Sequence, residues 1–385
     1  MQTEVAADAV VSIETADRHS RDASLTLAFA QPGDTLLYLL LPLHHEVFGV
    51  SLAEAGLLLA ANRLVRIAGY GWVARYYAVH GPRAACLLAA AGSVLATLGY
   101  ALFSGLSALI VARFLWGLSF AAMNIATQAL ATAEPTGAAK RSGRMRAIIA
   151  AGPVSGLIGG AMISQFGGPR LAFLIVGLVA VVAFLFALRL PHVGEGPPQR
   201  LARPRFGMPA RLDSWAFIQG MTLDGLFVLG ISILAAVALP GYAVLAAGAA
   251  LALRYIAEIM LAPTGGALAH RYGARRVLTL LSIASAVGLA VIGFGWLWSG
   301  AVVVVVLRGL IQPLPPPIVA LEYPGVERVP ALARNATWRD LGAGAGPLLA
   351  GALLPVVPHE LLYSGAALLL ALSATAIGTR STNVN

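Results

Sequence analysis

Apolar runs of membrane-crossing length recur through almost the whole of this 385-residue chain, at about 25–48, 52–76, 84–103, 105–131, 144–166, 170–189, 214–238, 241–268, 275–297, 299–321, 335–357 and 359–378. A spanning helix needs about 20 mostly apolar residues, so these runs read as twelve spans joined by short connections. Only 11% of the residues are charged while 58% are hydrophobic. A soluble domain carries about a quarter charged residues, so this chain lacks the polar coat that water would demand. Its expected solvent is lipid and its expected class is an all-α membrane protein.

Residues 1–23 are polar and acid-rich, with Glu4, Asp8, Glu14, Asp17 and Asp22 among them. A cleaved leader would open with a basic patch and a short apolar run, so the first apolar run is read as a retained helix. Cys86 is the single cysteine, which excludes a disulfide framework and a cysteine metal cluster. The net charge of +9 is read as cytoplasmic-side lysine and arginine, and nucleic acid is not expected as a partner. The placement of the basic residues fits. Arg75 and Arg83 flank the second connection, Lys140, Arg141, Arg144 and Arg146 the fourth, and Arg200, Arg203, Arg205 and Arg211 the sixth. Arg271, Arg275 and Arg276 flank the eighth and Arg328 and Arg334 the tenth, whereas the odd connections hold little beyond Arg170. Both termini are therefore expected in the cytoplasm, with the chain in a bacterial-type inner membrane.

The two halves repeat. Gly69–Arg83 resembles Leu261–Arg275 at an offset of 192 residues, Gly152-Pro153 matches Gly346-Pro347 at 194, and Arg113 matches Arg308 at 195. An internal duplication explains these offsets, and such repeats put a transport site near the bilayer midplane. The expected organisation is a cytoplasmic tail (1–23), an N-terminal six-helix bundle (24–190), a linker rich in Pro, Gly and Arg (191–213), a C-terminal six-helix bundle (214–379) and a short tail (380–385).

Three motifs carry a family resemblance. Gly266-Ala-Leu-Ala-His270-Arg271-Tyr-Gly273-Ala-Arg275-Arg276, between the eighth and ninth spans, resembles the major facilitator loop signature, with His270 where aspartate is usual. Its first-half copy is more degraded, with Ala74, Ala78 and Val79 at the Gly, Asp and Arg positions while Gly81 and Arg83 remain. Arg113-Phe-Leu-Trp-Gly117 resembles the family's Arg-x-x-x-Gly element, and Gly152-Pro153-Val-Ser-Gly156 its Gly-Pro-x-x-Gly element of antiporting members. The resemblance implies the major facilitator fold, two six-helix bundles related by a pseudo-two-fold axis, and a secondary transporter. Loss of the loop aspartate in both copies puts the family's charge-relay latch in question. Small residues four apart let helix backbones approach, and proline bends them.

Ionisable groups inside apolar spans cost several kcal/mol unless they face the bundle interior and find partners. The first span carries Gln31 and Asp34, the second Asn62, Arg63 and Arg66, and the fourth Arg113. In the second half stand Gln219, Asp224, Arg254, Glu258, Arg308, Gln312, Trp338, Arg339 and Asp340. Asp34, Asp224 and Glu258 are the candidate proton-coupling residues and the remaining groups the candidate substrate contacts. For Asp34, proton exchange, a fixed ion pair with Arg113 and a helix-end position stand as alternatives. Arg63 and Arg66 share a helix face, and Arg254 and Glu258, four apart, can pair within their own helix. Thr222 and Gly225 predict a locally irregular helix around Asp224. Arginines outnumber acids in this set, and guanidinium forks match anionic groups bidentately, so a negatively charged substrate is one expectation; structural roles for Arg113 and Arg308 are the alternative. Arg83, Gly152, Pro153, Gly156, Gly266, His270, Arg271, Gly273 and Arg275 are assigned to conformational motifs.

Gln312-Pro313-Leu-Pro315-Pro316-Pro317 cannot form a regular helix, which makes it a bend, a gate or a helix end. His44 and His45 point apart and form no metal set, and neither a phosphate-cradling loop nor a catalytic triad is present. No cofactor, metal or enzymatic activity is expected. The reading is a monomeric, proton-coupled secondary transporter of a small organic solute, with export favoured. Uptake or exchange of an organic anion is the first alternative and a transporter-like membrane sensor the second.

Overall fold

The computed structural model describes residues 2–192, 208–228 and 243–378, with side chains described for 13–192, 208–228 and 252–378. Arg200, Arg203 and Arg205 of the expected linker, the stretch 229–242 between the seventh and eighth expected spans, and the C-terminal tail lie outside the described residues. Among the described residues there is no strand.

Helix α1 (Gln2–Ala30) and α2 (Pro32–Leu43) meet at Gln31, with Pro32 opening α2 where its missing N–H costs nothing. The helix thus begins far upstream of the apolar run. Ala16, Ser20, Ala23 and Leu27, at three- and four-residue spacing, form a buried stripe that explains why a polar sequence stays helical. Asp17 on its other side pairs with Arg141 at 3.4 Å.

The second and third expected spans form one 51-residue stretch, α3 (Leu52–Leu102), that breaks at Gly81. Gly81 has φ +78° and ψ 175°, a backbone that side chains with a Cβ rarely adopt, and Pro82 follows it. The equivalent glycine of the second half, Gly273, has φ +88° and separates two helices. The loop signature therefore survives as a glycine turn in both halves although its aspartate is gone. After α4 (Leu106–Ala131) come α5 (Ala138–Ser155), a π-helical turn Gly156–Gly160, α6 (Ala161–Ala180), bent at Gly168-Pro169, and α7 (Val182–Ala187).

The second half runs through α8 (Arg211–Gln219), a π-helical segment Gly220–Leu226, α9 (Ala243–Tyr272), α10 (Ala274–Gly293) and α11 (Leu297–Ile311). It ends with α12 (Pro315–Glu322), α13 (Arg328–Leu353) and α14 (His359–Gly378). The proline run interrupts its span without ending it. The chain turns at Gln312, and Pro315, Pro316 and Pro317 fill the first turn of α12, where no N–H is needed. The irregularity expected around Asp224 is the π-helical segment.

Among the described residues six helical stretches are long and apolar enough to cross a membrane; two of them, 51 and 50 residues long, contain the bends at Gly81 and Gly168. Their outer faces carry bare apolar side chains, among them Trp72, Leu95, Phe166 and Leu368. A soluble protein would bury these; here they meet lipid. The chain divides into two compact units. The first holds Met1–Arg141, Ile148–Arg205 and Tyr323–Ala333; the second holds Ser142–Ala147, Phe206–Glu322 and Arg334–Asn385. In the first, Phe173 packs edge-on against Phe48 and Tyr100 at 5.8 and 5.6 Å. In the second, Leu223, Phe227, Leu289, Ile292, Val304 and Tyr363 share one core.

Candidate functional site

Each unit buries an arginine from a long apolar helix against a carboxylate from the unit's opening span. In the first unit Arg113 of α4 is wholly buried. Its Nη1 donates to Asp34 Oδ1, its Nε to the Leu58 carbonyl at 2.9 Å, and its Nη2 reaches the Tyr38 hydroxyl at 3.5 Å. Asn62 Nδ2 donates to the same Asp34 oxygen at 3.4 Å. Asp34 keeps 12% of its side-chain surface exposed, whereas Arg113 keeps none. The pair, one of the three alternatives read for Asp34, is what the structure holds.

Arg66 is buried with its guanidinium 4.5 Å from the Phe120 ring centroid, a cation–π contact, and Arg63 one turn away is half-buried. Gln31 Oε1 is buried without a hydrogen-bond partner. A polar ladder runs along α4, in which Gln128 donates to Asn124 at 3.1 Å and Asn124 to the Tyr70 hydroxyl at 3.3 Å.

The second unit is denser. Arg308 of α11 is 2% exposed and donates from Nε to Asp224 Oδ1 at 2.7 Å and from Nη1 to Glu258 Oε2 at 3.3 Å. Arg339 of α13 donates from Nη2 and Nε to Asp224 Oδ2 at 3.0 and 3.2 Å, and Gln219 Nε2 reaches that oxygen at 3.3 Å. Glu258 thus pairs with Arg308 rather than with Arg254 on its own helix. Spacing of four permits the local pair, but Arg308 needs a second acceptor and tertiary packing supplies Glu258. Arg254 instead lies over Tyr255 at 5.2 Å, and its Nε meets no acceptor among the described residues. Trp338 packs edge-on against Phe217 at 6.2 Å, Asp340 is buried, and Gln312 Nε2 is buried without a partner.

The motif residues sit apart from both clusters. His270 and Arg271 are exposed, Arg275 pairs with Glu322, and Arg83 hydrogen-bonds His192. Gly266 is buried. Gly152, next to Pro153, presses on the Ala28 carbonyl and Gly156 on that of Pro32, so a methyl group at either would collide with backbone. This is the close approach that the small residues four apart were read to allow.

Sequence reasoning missed two features. Arg146 counted only as a loop charge, yet it lies within electrostatic reach of Arg339, Glu258, Arg308 and Asp224. The signal was available, because Arg146 precedes Arg339 by 193 residues, an offset of the repeat. The buried Asp213, which binds Arg334 at 2.6 Å and Asn335 at 3.1 Å, also went unread, although it follows Asp22 by 191.

Residues 23–239 match the profile of the Major Facilitator Superfamily, which is more than half the chain. No curated protein sequence matches it. Among solved structures, the human organic anion transporter MFSD10 (TETRAN) aligns with a TM-score of 0.79 at 16% identity, covering 94% of this chain and 99% of that one. A bacterial homologue of the iron transporter ferroportin, outward-facing with soaked iron, gives 0.73 at 12%, with 94% and 98% covered. The Escherichia coli fucose:proton symporter FucP gives 0.71 at 13%, with 95% and 98% covered. At these identities the likeness establishes the fold.

Proposed function

The chain belongs to the Major Facilitator Superfamily, and from that premise we propose that it is a proton-coupled secondary transporter that exports a small organic solute by alternating access. The observation that carries the reading is the Asp34–Arg113 pair. A buried ion pair is weak evidence of stability, since well-packed apolar residues often serve a fold as well or better. Ionisable groups kept at membrane depth therefore point to function. Asp34 is the partly exposed member of the pair and so the one placed to exchange a proton. Protonation cancels its charge and leaves the Arg113 guanidinium with neutral acceptors only, Leu58 and Tyr38. The junction thus has two electrostatic states, a neutral pair while Asp34 is ionised and a net cation at Arg113 once Asp34 holds a proton, which is what coupling requires. Asp224 and Glu258 are the second-half candidates for the same work.

Two relatives support the transport reading in kind: MFSD10 is an organic anion transporter and FucP a fucose:proton symporter. The Gly152-Pro153-x-x-Gly156 element favours antiport and hence export. We further propose a monomer in a bacterial-type inner membrane with both termini cytoplasmic, organised as the two six-helix bundles and linker read from the sequence.

The test is Asp34→Asn in proteoliposomes loaded with a pH-reporting dye, with solutes first selected by their stabilisation of the purified protein. Gradient-driven flux and solute-linked proton movement are expected to vanish while counterflow exchange persists. Undiminished gradient-driven flux in the variant would remove Asp34 from the coupling step.

A further inference from the structure

The cluster in the second unit holds more cation than its own carboxylates absorb. Arg308, Arg339, Arg254 and Arg146 all lie within electrostatic reach of Asp224 and Glu258. Asp340 adds a third carboxylate beside Arg339. Among the described residues four guanidiniums thus meet three carboxylates, an excess of one positive charge at membrane depth. The hydrogen bonds sharpen the imbalance. Asp224 Oδ1 serves Arg308, Asp224 Oδ2 serves Arg339 and Gln219, and the described Glu258 bond also goes to Arg308. Arg254 Nε and Arg146 Nε find no acceptor among the described residues. Burying a donor of a charged group without an acceptor is costly, more so than for a neutral one.

Those two arginines and Arg339 are the partly exposed ones. Arg308 is sealed at 2% exposure, whereas Arg339 keeps 26% of its side-chain surface and Arg254 and Arg146 are half-buried. They come from three helices, α9, α13 and α5, so no single helix sets their spacing. Guanidiniums gathered from separate elements around the same two carboxylates suit an oxyanion held by paired N–H donors.

We propose that the transported solute is an organic anion whose carboxylate, sulfonate or phosphate group docks on Arg254, Arg339 and Arg146. Asp224 and Glu258 keep Arg308 neutralised beneath it. This names the substrate class for the transporter reading above and rests on it.

The experiment uses the full chain in nanodiscs of uncharged phosphatidylcholine and reads thermal stabilisation and calorimetric binding. The probes are charge-matched sets: benzoate, benzenesulfonate and phenyl phosphate against benzamide, benzyl alcohol and benzylammonium, extended to aliphatic homologues of each. The expected result is that the binders are anions, and that Arg254→Gln and Arg339→Gln each weaken them at least tenfold while the exposed-site control Arg276→Gln does not. Arg254→Lys restores part of the affinity, since it keeps the charge but loses the fork, and it serves in place of Arg254→Gln should that variant fail to fold. Binding only of neutral or cationic probes, no binding of any anion, or equal affinity in wild type and both glutamine variants each overturns the proposal. A second arm adds phosphatidylglycerol to the discs. If that lipid stabilises wild type over Arg254→Gln while free anions do nothing, a headgroup phosphate holds the site and the solute assignment falls. Gradient-driven flux of a neutral or cationic binder would sink this inference and leave the transporter reading intact; anion binding that depends on Arg254 and Arg339, with no flux of any bound anion, would sink the transporter reading and leave only an anion-binding site.

Discussion

In the first unit one carboxylate, Asp34, meets one guanidinium, Arg113; in the second, Asp224 and Glu258 share Arg308 and Asp224 also holds Arg339. The two clusters occupy matching positions. Asn62 and Arg66 of the first half stand 192 residues before Arg254 and Glu258. One duplicated scaffold thus supports Asp, Asn, Arg and Arg on one side and Asp, Arg, Glu and Arg on the other. The first arrangement is sparse and its carboxylate is partly exposed; the second is dense and its central arginine is sealed. Duplication preserves where charge sits, while divergence decides whether a given pair can open. On this view the first cluster suits proton exchange and the second suits holding a charged guest.

The comparison is most easily broken at the two aspartates. Asp224→Asn leaves Arg308 and Arg339 short of their shared acceptor and is expected to cost about 3–5 kcal/mol, as breaking a buried ion pair does. Asp34→Asn is expected to cost less, about 1–3 kcal/mol, because Arg113 keeps the Leu58 carbonyl and Tyr38. Unfolding in mixed micelles measures both. Equal losses would mean that the two clusters are equally structural.

The shared glycine turn gives a smaller effect. At Gly273 a Cβ would meet no atom within 4 Å, so Gly273→Ala isolates the backbone term of the positive φ, ~1–2 kcal/mol of destabilisation. Gly344 lies inside α13 with the same open space but ordinary helical geometry, so Gly344→Ala is expected to stabilise by about 0.4–1 kcal/mol. Opposite signs in a thermal-shift series would support the assignment; matching signs would remove the strain from the loop.

The smallest effect belongs to the first half alone. Ser51 caps α3: its N–H and hydroxyl donate to the exposed Glu54 carboxylate at 2.8 and 2.9 Å, and the Glu54 N–H donates back to the Ser51 hydroxyl. Glu54→Ala removes the reciprocal bonds to the cap and is expected to lower the melting temperature slightly, by less than Gly273→Ala, whereas Glu54→Gln, which can still accept, is expected to leave it nearly unchanged.

The all-α membrane class was legible because lipid allows few charges, so each ionisable residue in an apolar run stands out. The repeat offsets then located the equivalent positions. Pairing was not legible. Arg254 and Glu258 satisfy helix geometry as a local pair, but a sealed Arg308 drew Glu258 away, and only packing decides such a contest. Arg146 escaped because it opens an apolar run, where a basic residue reads as a loop charge. The start of α1 escaped for the opposite reason: hydropathy marks lipid contact, whereas Ala16, Ser20 and Ala23 are buried against protein. The π-helical turn at Gly156–Gly160 left no trace in composition.

The glycines that touch neighbouring carbonyls have a mechanical consequence. Gly152 and Gly156 rest on the backbone of Ala28 and Pro32, while Gly342 and Gly346 rest on that of Phe217 and Met221. Side chains between helices act as springs that change rotamer and soak up displacement; bare main chain has no such play. Asp34 lies two residues beyond Pro32, and Asp224 three beyond Met221, so each carboxylate is meshed with a proline-bearing helix like a tooth in a gear. Whatever tilts that helix turns the acid with it, without slack.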